Sequence, residues 1–322
     1  MPAAGRGILA GNVTAGVDED DLAGLSLARI AAAMEVIDPV FLRTPQFLDA
    51  GLSVALGREV TVKAETLNPI GSFKGRGTWL LARALDPTRT WVCATAGNFG
   101  QGLAYAARHR SGTVHAFVSP LVPAEKVARM RRLGARVDTC EQPGSAAREY
   151  AAASEDRLLA VDGLRPAMAE GAGTIGLELQ AAGPFDLAVV QLGDGALISG
   201  IARWLKSTTP AIRVVGVCAS GAPAMARSFA ARRVVTAGID TVAAALAVAE
   251  PVPESLARVL ALVDDVVLVD DDDLRSAQRL IAESLGLLVE PAGAAGVAAL
   301  ARHGERLPGR RAVVVLTGAA SA

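Results

Sequence analysis

The chain has 322 residues, of which 51% are hydrophobic and only 4% aromatic, and its formal net charge at pH 7 is −1. This length is enough for two domains, or for one large α/β unit with an attached lobe. Acids and bases are interspersed, so the basic field of a nucleic-acid-binding protein and the polybasic patch of a membrane-surface protein are both missing, and we expect neither partner.

The cysteines point to a reducing compartment. Cys93, Cys140 and Cys218 have no CxxC spacing and lie in or near apolar segments, which is typical of free thiols in a cytoplasmic protein. No cysteine and histidine cluster has metal-ligand spacing, so we predict no metal site. Residues 1–18 lack the pattern of a signal peptide, and no uncharged apolar run reaches the roughly 18 residues of a membrane span.

Strand-like and helical segments alternate through most of the chain, which is typical of an α/β fold with a parallel sheet. The predicted strands are 60–64, 90–95, 114–118, 136–139, 186–192, 214–218, 266–269 and 312–316. The predicted helices are 25–36, 75–84, 101–108, 124–133, 146–155, 174–181, 197–207, 274–285 and 293–302.

A run of four aspartates, 270–273, lies between a predicted strand and a predicted helix. Such a run is also a pattern for a metal site. At a helix start, however, carboxylates cap free amides and favour the positive end of the helix dipole. We therefore predict that these aspartates cap the helix.

Lys74 is conspicuous because lysine is rare: only four of the 32 Lys and Arg residues are lysines. It lies between Gly71 and Gly75, in a turn from a predicted strand to a predicted helix. An amine forms an imine with an aldehyde and loses its proton when desolvated, whereas arginine does neither. A surface charge beside a flexible loop is the alternative. The imine hypothesis requires a phosphate cradle, a partner for the cofactor ring and a loop for a substrate carboxylate.

The segment from Gly193 to Gly200 is a candidate phosphate cradle. It follows a predicted strand and begins a predicted helix, where glycines let backbone amides approach an anion and the helix dipole favours it. A dinucleotide-binding fingerprint is excluded, because Ile198 stands where the third glycine would be. An ordinary strand–helix turn is the alternative.

Two further segments end predicted strands. The loop 94–102 is glycine-rich, and its amides suit a substrate carboxylate while Asn98 suits an aromatic hydroxyl; an N-capped helix is the alternative. Thr317 follows the last predicted strand. Because open parallel sheets bind ligands beyond the carboxyl ends of their strands, Thr317 is a candidate partner for a ring nitrogen.

Taken together, these segments resemble the fold type II pyridoxal-phosphate enzymes (tryptophan synthase beta-like), and most closely the serine/threonine dehydratase group. The resemblance runs from about Arg43 almost to the C-terminus. The matching segments are similar to the family's RTP (43–45), GSFKxRG (71–77), SAGNHAQG (95–102), GQGTIGLE (171–178) and tetraglycine loop (193–200), with further matches at 290–294 and 316–318.

The resemblance implies a two-lobed open parallel-sheet fold with pyridoxal 5′-phosphate in the cleft between the lobes. Residues 1–49 and 146–322 would form the large cofactor-binding domain. Residues 50–145 would form a small domain with Lys74 and the substrate carboxylate loop. The resemblance also implies a homodimer. Since the sequence stops four residues after Gly318, we expect no C-terminal regulatory domain.

The resemblance implies a role for each site residue. Lys74 would be the Schiff-base lysine and the base for the Cα proton, with a pKa lowered by burial near the cationic imine. The implied cofactor contacts are Phe73, Asn98, Gly193, Asp194, Gly195, Ala196, Leu197, Glu290 and Thr317. The implied substrate contacts are Ser72, Thr95, Ala96, Gly97, Asn98, Phe99 and Gln101. The activity implied is β-elimination of water from a Ser/Thr-like amino acid, giving a 2-oxo acid and ammonia.

Several residues depart from the family pattern and leave the substrate open. Phe99 stands in place of a histidine, and Asp194 and Ala196 replace two glycines of the phosphate loop. A carboxylate beside a phosphate costs energy unless it points away or meets a cation. After Thr317 the usual Gly-Asn is missing.

The resemblance leaves three alternatives within the family, two other activities and one protein without activity. A β- or γ-replacement synthase, similar to threonine synthase, is the principal one. Racemisation is disfavoured because Thr95 stands where a racemase would have its second acid/base serine. A catalytically silent cofactor-binding relative with a regulatory role is the third alternative, and the presence of Lys74, Asn98 and Thr317 argues against it.

Overall fold

The computed structural model describes residues 21–320. Its strands are β1 (Asp21–Leu22), β2 (Leu25–Ser26), β3 (Gln46–Asp49), β4 (Glu59–Ala64), β5 (Thr90–Ala94), β6 (Thr113–Val118), β7 (Arg136–Thr139), β8 (Arg157–Leu159), β9 (Leu187–Gln191), β10 (Arg213–Ala219), β11 (Asp265–Val269) and β12 (Arg311–Leu316). Its helices are α1 (Leu27–Val36), α2 (Ala50–Leu56), α3 (Lys74–Arg83), α4 (Asn98–Arg108), α5 (Ala124–Arg132), α6 (Pro143–Ala152), α7 (Pro166–Gln180), α8 (Ala196–Thr208), α9 (Ala224–Ala231), α10 (Pro253–Leu262), α11 (Asp271–Leu285) and α12 (Ala295–His303).

Two sheets carry most of the strands. A six-stranded sheet has the order β11-β10-β9-β12-β4-β3, and a four-stranded sheet has the order β7-β6-β5-β8. All pairings in both sheets are parallel except that of β3 with β4. Every strand predicted from the sequence is present, and every predicted helix overlaps an observed one. The α/β prediction is confirmed.

The central strands are apolar throughout because they are buried on both faces. All five residues of β9 are buried, and so are the last five of β12. Parallel sheets covered by helices on both sides require such continuous runs. One large core cluster includes residues of both sheets, and a second packs α11 and α12 against the six-stranded sheet.

The two sheets divide the chain differently from the predicted boundaries at residues 50 and 145. β4, which the prediction places in the small domain, pairs with β12 along its whole length in the six-stranded sheet. β8, which the prediction places in the large domain, pairs with β5 in the four-stranded sheet. A strand joins the sheet whose edge is free to pair with it, whatever its place in the chain. We therefore propose that the small domain spans about 65 to 160.

Asp270 caps α11, as predicted. Its carboxylate accepts a hydrogen bond from Asp273 N, and the Asp273 carboxylate accepts one from Asp270 N, each at 2.9 Å. These two hydrogen bonds form a capping box, which satisfies two backbone N–H groups that have no partner within the helix. Between residues 21 and 320 no group of three or more His, Cys, Asp or Glu is arranged to hold a metal ion.

No helix in this part of the chain is long and apolar enough to cross a membrane. The prediction that residues 1–18 are not a signal peptide lies outside the described residues.

Candidate active site

Lys74 is the first residue of α3, and its side chain is only 9% exposed. Its Nζ lies 2.6 Å from Asp162 Oδ2 and 2.8 Å from Asp194 Oδ2. The next residue is glycine for a packing reason, because a Cβ there would overlap the ring of Phe41. The start of α3 therefore holds the buried amine of Lys74 between the carboxylates of Asp162 and Asp194.

The expectation that burial near the cationic imine lowers the pKa of Lys74 concerns the cofactor-bound enzyme and stays a prediction. Burial does disfavour the ammonium, but the charges of Asp162 and Asp194 and their hydrogen bonds to Nζ outweigh it and raise the pKa of Lys74. The two carboxylates therefore favour the ammonium form of Lys74.

Asp194 meets a cation, which is one of the two arrangements that the energetic argument from sequence allows. Its Oδ2 pairs with Lys74, and its Oδ1 accepts a hydrogen bond from Ala196 N at 2.8 Å. Burial alone would raise the pKa of Asp194, but the Lys74 ammonium and the Ala196 N–H lower it overall. Asp194 is therefore ionised, and it is anchored to the start of α8.

Asp162, which sequence reasoning missed, lies three residues beyond the end of β8. Its Oδ1 is shielded from solvent and has no hydrogen-bond partner among residues 21–320. Burial raises the pKa of Asp162 to about 7, together with the negative charge of Asp194, although Lys74 opposes the change. Near neutral pH this carboxyl can therefore hold or release a proton.

Two adjacent cavities meet at Lys74. One, of about 50 Å³, is lined by Phe73, Lys74, Asn98, Gln191, Gly193, Asp194, Gly195, Leu197, Ala245, Leu246, Glu290, Ala292 and Thr317. The other, of about 200 Å³, is lined by Lys74, Ala94, Thr95, Ala96, Gly97, Asn98, Phe99, Lys126, Asp162, Asp194, Ala244, Ala245, Ala247 and Val248. We call the first the ring cavity and the second the loop cavity. Lys74 is accessible from both.

The structure brings most of the predicted site residues to these cavities, but not all of them. Ser72, Gln101 and Ala196 line neither one. Ser72 is fully buried, and its Oγ accepts a hydrogen bond from Lys74 N at 3.4 Å. Gln101 is buried beneath its loop, with Nε2 3.5 Å from Asn98 Oδ1. These side chains are in position to support the loops around the cavities.

Glu290 contacts two side chains of the proposed small domain. It accepts a hydrogen bond from Asn98 Nδ2 at 2.8 Å and pairs with Lys126 Nζ at 2.6 Å. Lys126, which sequence reasoning missed as a site residue, also packs over Gly97, where a Cβ would lie 2.5 Å from its Cδ. Gly97 has φ of 128°, so both its backbone and its surroundings require glycine.

Several of the family-like segments meet beneath the site in a buried network instead of lining it. Arg76 donates to Glu65 and Glu178, and Lys63 Nζ lies 2.5 Å from Glu178 Oε2. Thr44 donates to Glu65, and its carbonyl accepts from Lys63. The network ties the RTP-like, GSFKxRG-like and GQGTIGLE-like segments together around α3.

The cavities fit a phosphate-bearing aldehyde. Gly195 has φ of 94° and precedes α8 without a side chain, and Gly193, Gly195 and Leu197 line the ring cavity at the start of this helix. The N–H of Ala196 is already bonded to Asp194 Oδ1. Side chains at Gly193 or Gly195 would collide with Ala245 O or Ser255 Oγ. Gln191 Oε1 is buried in the same wall without a partner in the described part of the chain. Lys74 supplies the amine that an aldehyde requires.

Comparison with known proteins agrees with this fit. A family model described as "Pyridoxal-phosphate dependent enzyme" matches residues 37–318. The L-threonine ammonia-lyase of Thermotoga maritima is 31% identical over 302 residues, covering 91% of this chain and 75% of that protein. The chain belongs to the pyridoxal-phosphate-dependent enzyme family, and the predicted cofactor and family are confirmed.

Two solved structures have the same fold. The threonine deaminase of T.th. superimposes with a TM-score of 0.84 at 30% identity, over 92% of this chain and 99% of that one. Maize serine racemase superimposes with a TM-score of 0.85 at 26% identity, over 92% and 94% of the two chains. The predicted type of fold is therefore confirmed.

Proposed function

We propose that the protein is a pyridoxal-phosphate-dependent lyase that eliminates water from serine, threonine or a similar β-hydroxy amino acid, releasing a 2-oxo acid and ammonia. The observation that carries the proposal is the place of Lys74, a buried amine between the ring cavity and the loop cavity. The similarity to an L-threonine ammonia-lyase and a threonine deaminase supports this reaction.

Residues of the ring cavity would hold the cofactor. The amides of Gly193, Gly195 and Leu197 at the start of α8 suit its phosphate, and Phe73, Asn98, Glu290 and Thr317 line the remaining wall. When bound, pyridoxal 5′-phosphate supplies an electron sink that stabilises negative charge on the Cα of an amino acid.

Residues of the loop cavity would bind and activate the substrate. The N-terminus of α4, at Asn98, favours a carboxylate, and the preceding turn adds further backbone amides. Lys74 would take the proton from Cα. Phe99 gives this cavity an apolar wall where the resembled group has a histidine.

The loop geometry favours elimination over racemisation. Thr95 Oγ1 accepts hydrogen bonds from Gly97 N at 2.9 Å and from Gly100 N at 3.1 Å. A hydroxyl occupied with holding its own loop is poorly suited to act as a second acid/base at Cα. We therefore propose that protonation on the face opposite Lys74 is not part of the reaction.

The test is an assay of purified protein loaded with pyridoxal 5′-phosphate. We expect 2-oxo acid and ammonia from L-serine or L-threonine without a second substrate, and borohydride should trap the cofactor on Lys74. Lys74→Ala should lower turnover by more than about 10⁴-fold, because it removes both the attachment point and the base. The matched control is Lys206→Ala, which removes an exposed ion pair with Asp264 and should retain activity.

Two results would contradict the proposal. A product that forms only when a nucleophile is added would indicate a replacement synthase. The absence of any borohydride-trapped lysine would exclude this cofactor chemistry altogether.

We also propose that the enzyme works in the cytoplasm as a homodimer, as the family resemblance implies. Sedimentation equilibrium of the loaded protein checks the dimer, and a mass of one chain of 32.9 kDa would contradict it.

A further inference from the structure

We propose that Asp162 is the general acid that protonates the departing hydroxyl group, and that it is recharged by the proton that Lys74 takes from Cα. This inference rests on the proposed elimination of water. Hydroxide is a poor leaving group, so a positioned proton donor is needed at the oxygen on Cβ as well as a base at Cα.

The geometry places a second acid/base group beside the base. Asp162 Oδ2 is 2.6 Å from Lys74 Nζ, which is a distance for direct proton transfer. Its other oxygen, Oδ1, has no partner within the described part of the chain, and Asp162 lines the loop cavity where the substrate would lie. One oxygen therefore contacts the base, the side chain keeps 23% of its surface exposed, and the solvent-shielded Oδ1 has no partner among residues 21–320.

The two carboxylates beside Lys74 are differentiated by their surroundings. Asp194 is engaged by Ala196 N and has a lowered pKa, so it remains an anion. Asp162 lacks such a donor on Oδ1 among residues 21–320, and burial raises its pKa to about 7. Carboxyl groups whose environments push their pKa values apart divide into an acid and an electrostatic partner. Asp162 has the properties of the acid.

The charged groups around Asp162 are consistent with this division. Lys74 contacts both carboxylates, and a hydrogen bond between the Asp162 and Asp194 side chains helps to raise the pKa of Asp162 and to lower that of Asp194. Lys126, in the same cavity, is neutralised by Glu290. The buried thiol of Cys93 has a pKa raised to about 12 by burial and by the charge of Asp162, so it remains protonated and does not compete as an acid or base near neutral pH.

Helix α10 fixes the position of both carboxylates. Arg258 donates to the carbonyls of Gly163 and Leu164 at 3.0 and 3.3 Å, and Ser255 donates to the carbonyl of Asp194. Gly163 has φ of 76°, and a Cβ there would come within 3.2 Å of the Asp194 Cβ. The backbone on either side of the Lys74 contact is therefore held by one rigid element.

The proton balance of the step closes within these groups. Lys74 takes the proton from Cα, and the electron pair left behind forms the Cα–Cβ double bond as the Cβ–O bond breaks. The electrons of that bond stay on the oxygen, which receives the proton of Asp162 and leaves as water. Lys74 would give up the proton from Cα when its nitrogen rejoins the cofactor, and Asp162, at 2.6 Å, would accept it. No other reactant is consumed.

The decisive experiment compares two leaving groups in Asp162→Asn. Turnover of L-serine should fall by about 100-fold or more relative to turnover of β-chloro-L-alanine, the range of general acid catalysis. The loss of the contact between Asp162 and Lys74 affects both substrates alike and cancels in this ratio. Chloride leaves without a proton, so it bypasses the acid. Equal losses on the two substrates would overturn the proposal.

Asp194→Asn is the matched control, because it removes the other carboxylate that contacts Lys74. It should change the two turnovers by the same factor, and a loss confined to serine in this variant would contradict the assignment to Asp162. In deuterium oxide, Asp162→Asn should still exchange the Cα proton of L-alanine, which has no leaving group. Loss of that exchange would show that Asp162 acts on Lys74 and not on the leaving group.

A readout without cofactor completes the test. In protein labelled with ¹³C at the aspartate carboxyls, the resonance that disappears in Asp162→Asn should titrate with a pKa near 7. Titration near the ordinary pKa of 3.8 would overturn the proposal. If wild-type protein releases no 2-oxo acid from either substrate, the proposed function fails and the inference fails with it. If it does and the variant loses both activities equally, only the inference fails.

Discussion

Two clusters of buried charge surround the start of α3, and they are built differently. The cluster beneath the site, with Lys63 and Arg76 facing Glu65 and Glu178, holds two cations and two anions, and its charged oxygens and nitrogens all have partners. The cluster in the cavities holds one cation, Lys74, against two carboxylates, and one of its carboxylate oxygens has no partner in residues 21–320.

The difference between the two clusters distinguishes a structural role from a catalytic one. A balanced and saturated buried network specifies how segments pack, whereas an excess buried carboxylate with a free oxygen destabilises the fold. Uncompensated groups with shifted pKa values concentrate at functional sites for this reason. The two clusters should therefore respond to mutation in opposite directions.

The largest effect on stability should come from the balanced network. Glu178→Ala leaves Lys63 and Arg76 with a single carboxylate in a dry environment, and we expect a loss of about 3–5 kcal/mol in the free energy of unfolding. Denaturant unfolding of the cofactor-free protein measures it. Glu125→Ala, which removes exposed pairs on α5, should cost less than about 1 kcal/mol. Similar losses in the two variants would contradict the distinction.

The cavity cluster should show the opposite behaviour, and it should depend on pH. The native pKa of Asp162, about 7, lies above its ordinary value of 3.8, so its contribution to stability is complete below pH 4 and is lost as the pH rises through 7. When the pH is raised from 5 to 8, the free energy of unfolding of Asp162→Asn should therefore increase by roughly 2–3 kcal/mol relative to that of wild type. Denaturation curves of both proteins at pH 5 and pH 8 measure this change. If the difference in free energy of unfolding between Asp162→Asn and wild type is the same at both pH values, the pKa of Asp162 is not raised.

A smaller effect should appear in the rate of cofactor attachment. Only the neutral amine reacts with an aldehyde, and the carboxylates hold Lys74 as a cation. Asp194→Asn removes one of them, so attachment at pH 7 should accelerate by about tenfold for each pKa unit by which Lys74 is lowered. Stopped-flow absorbance after mixing with pyridoxal 5′-phosphate measures this rate.

Pyridoxal, which lacks the phosphate, is the control for that experiment. The acceleration should persist with pyridoxal, because it arises from the amine. An acceleration seen only with the phosphate ester would assign the effect to repulsion between Asp194 and the phosphate.

The fold could be predicted because its strands are long and apolar. β9 and β12 are continuous runs of apolar side chains, which a sheet buried on both faces demands. β8 has only three residues, none of them fully buried, so it has no pattern of its own. Missing β8 hid Asp162, because the rule that ligands bind beyond strand ends could not be applied there.

The electrostatics of the site could be predicted only in part. The position of Asp194 in the loop implies that its carboxylate either points away from the phosphate or meets a cation, and the structure shows the cation. The pair of carboxylates that raises the pKa of Lys74 has no sequence signal, because Asp162 lies 88 residues from Lys74 in the chain. The sequence places Arg76 and Glu178 in two separate family-like motifs. It does not predict the hydrogen bond between them, because that bond depends on how distant segments of the chain pack together.

The smallest effect should come from a third acidic cluster, at the start of α11. Asp270 is exposed, and it caps the helix through Asp273 N while both aspartates pair with Arg302. Asp270→Ala should cost about 1 kcal/mol of stability, because it removes one cap and one surface pair. Turnover and the pH dependence of unfolding should match wild type. A larger cost, or a change in turnover, would mean that this local cap is coupled to the cavity cluster, which its exposure argues against.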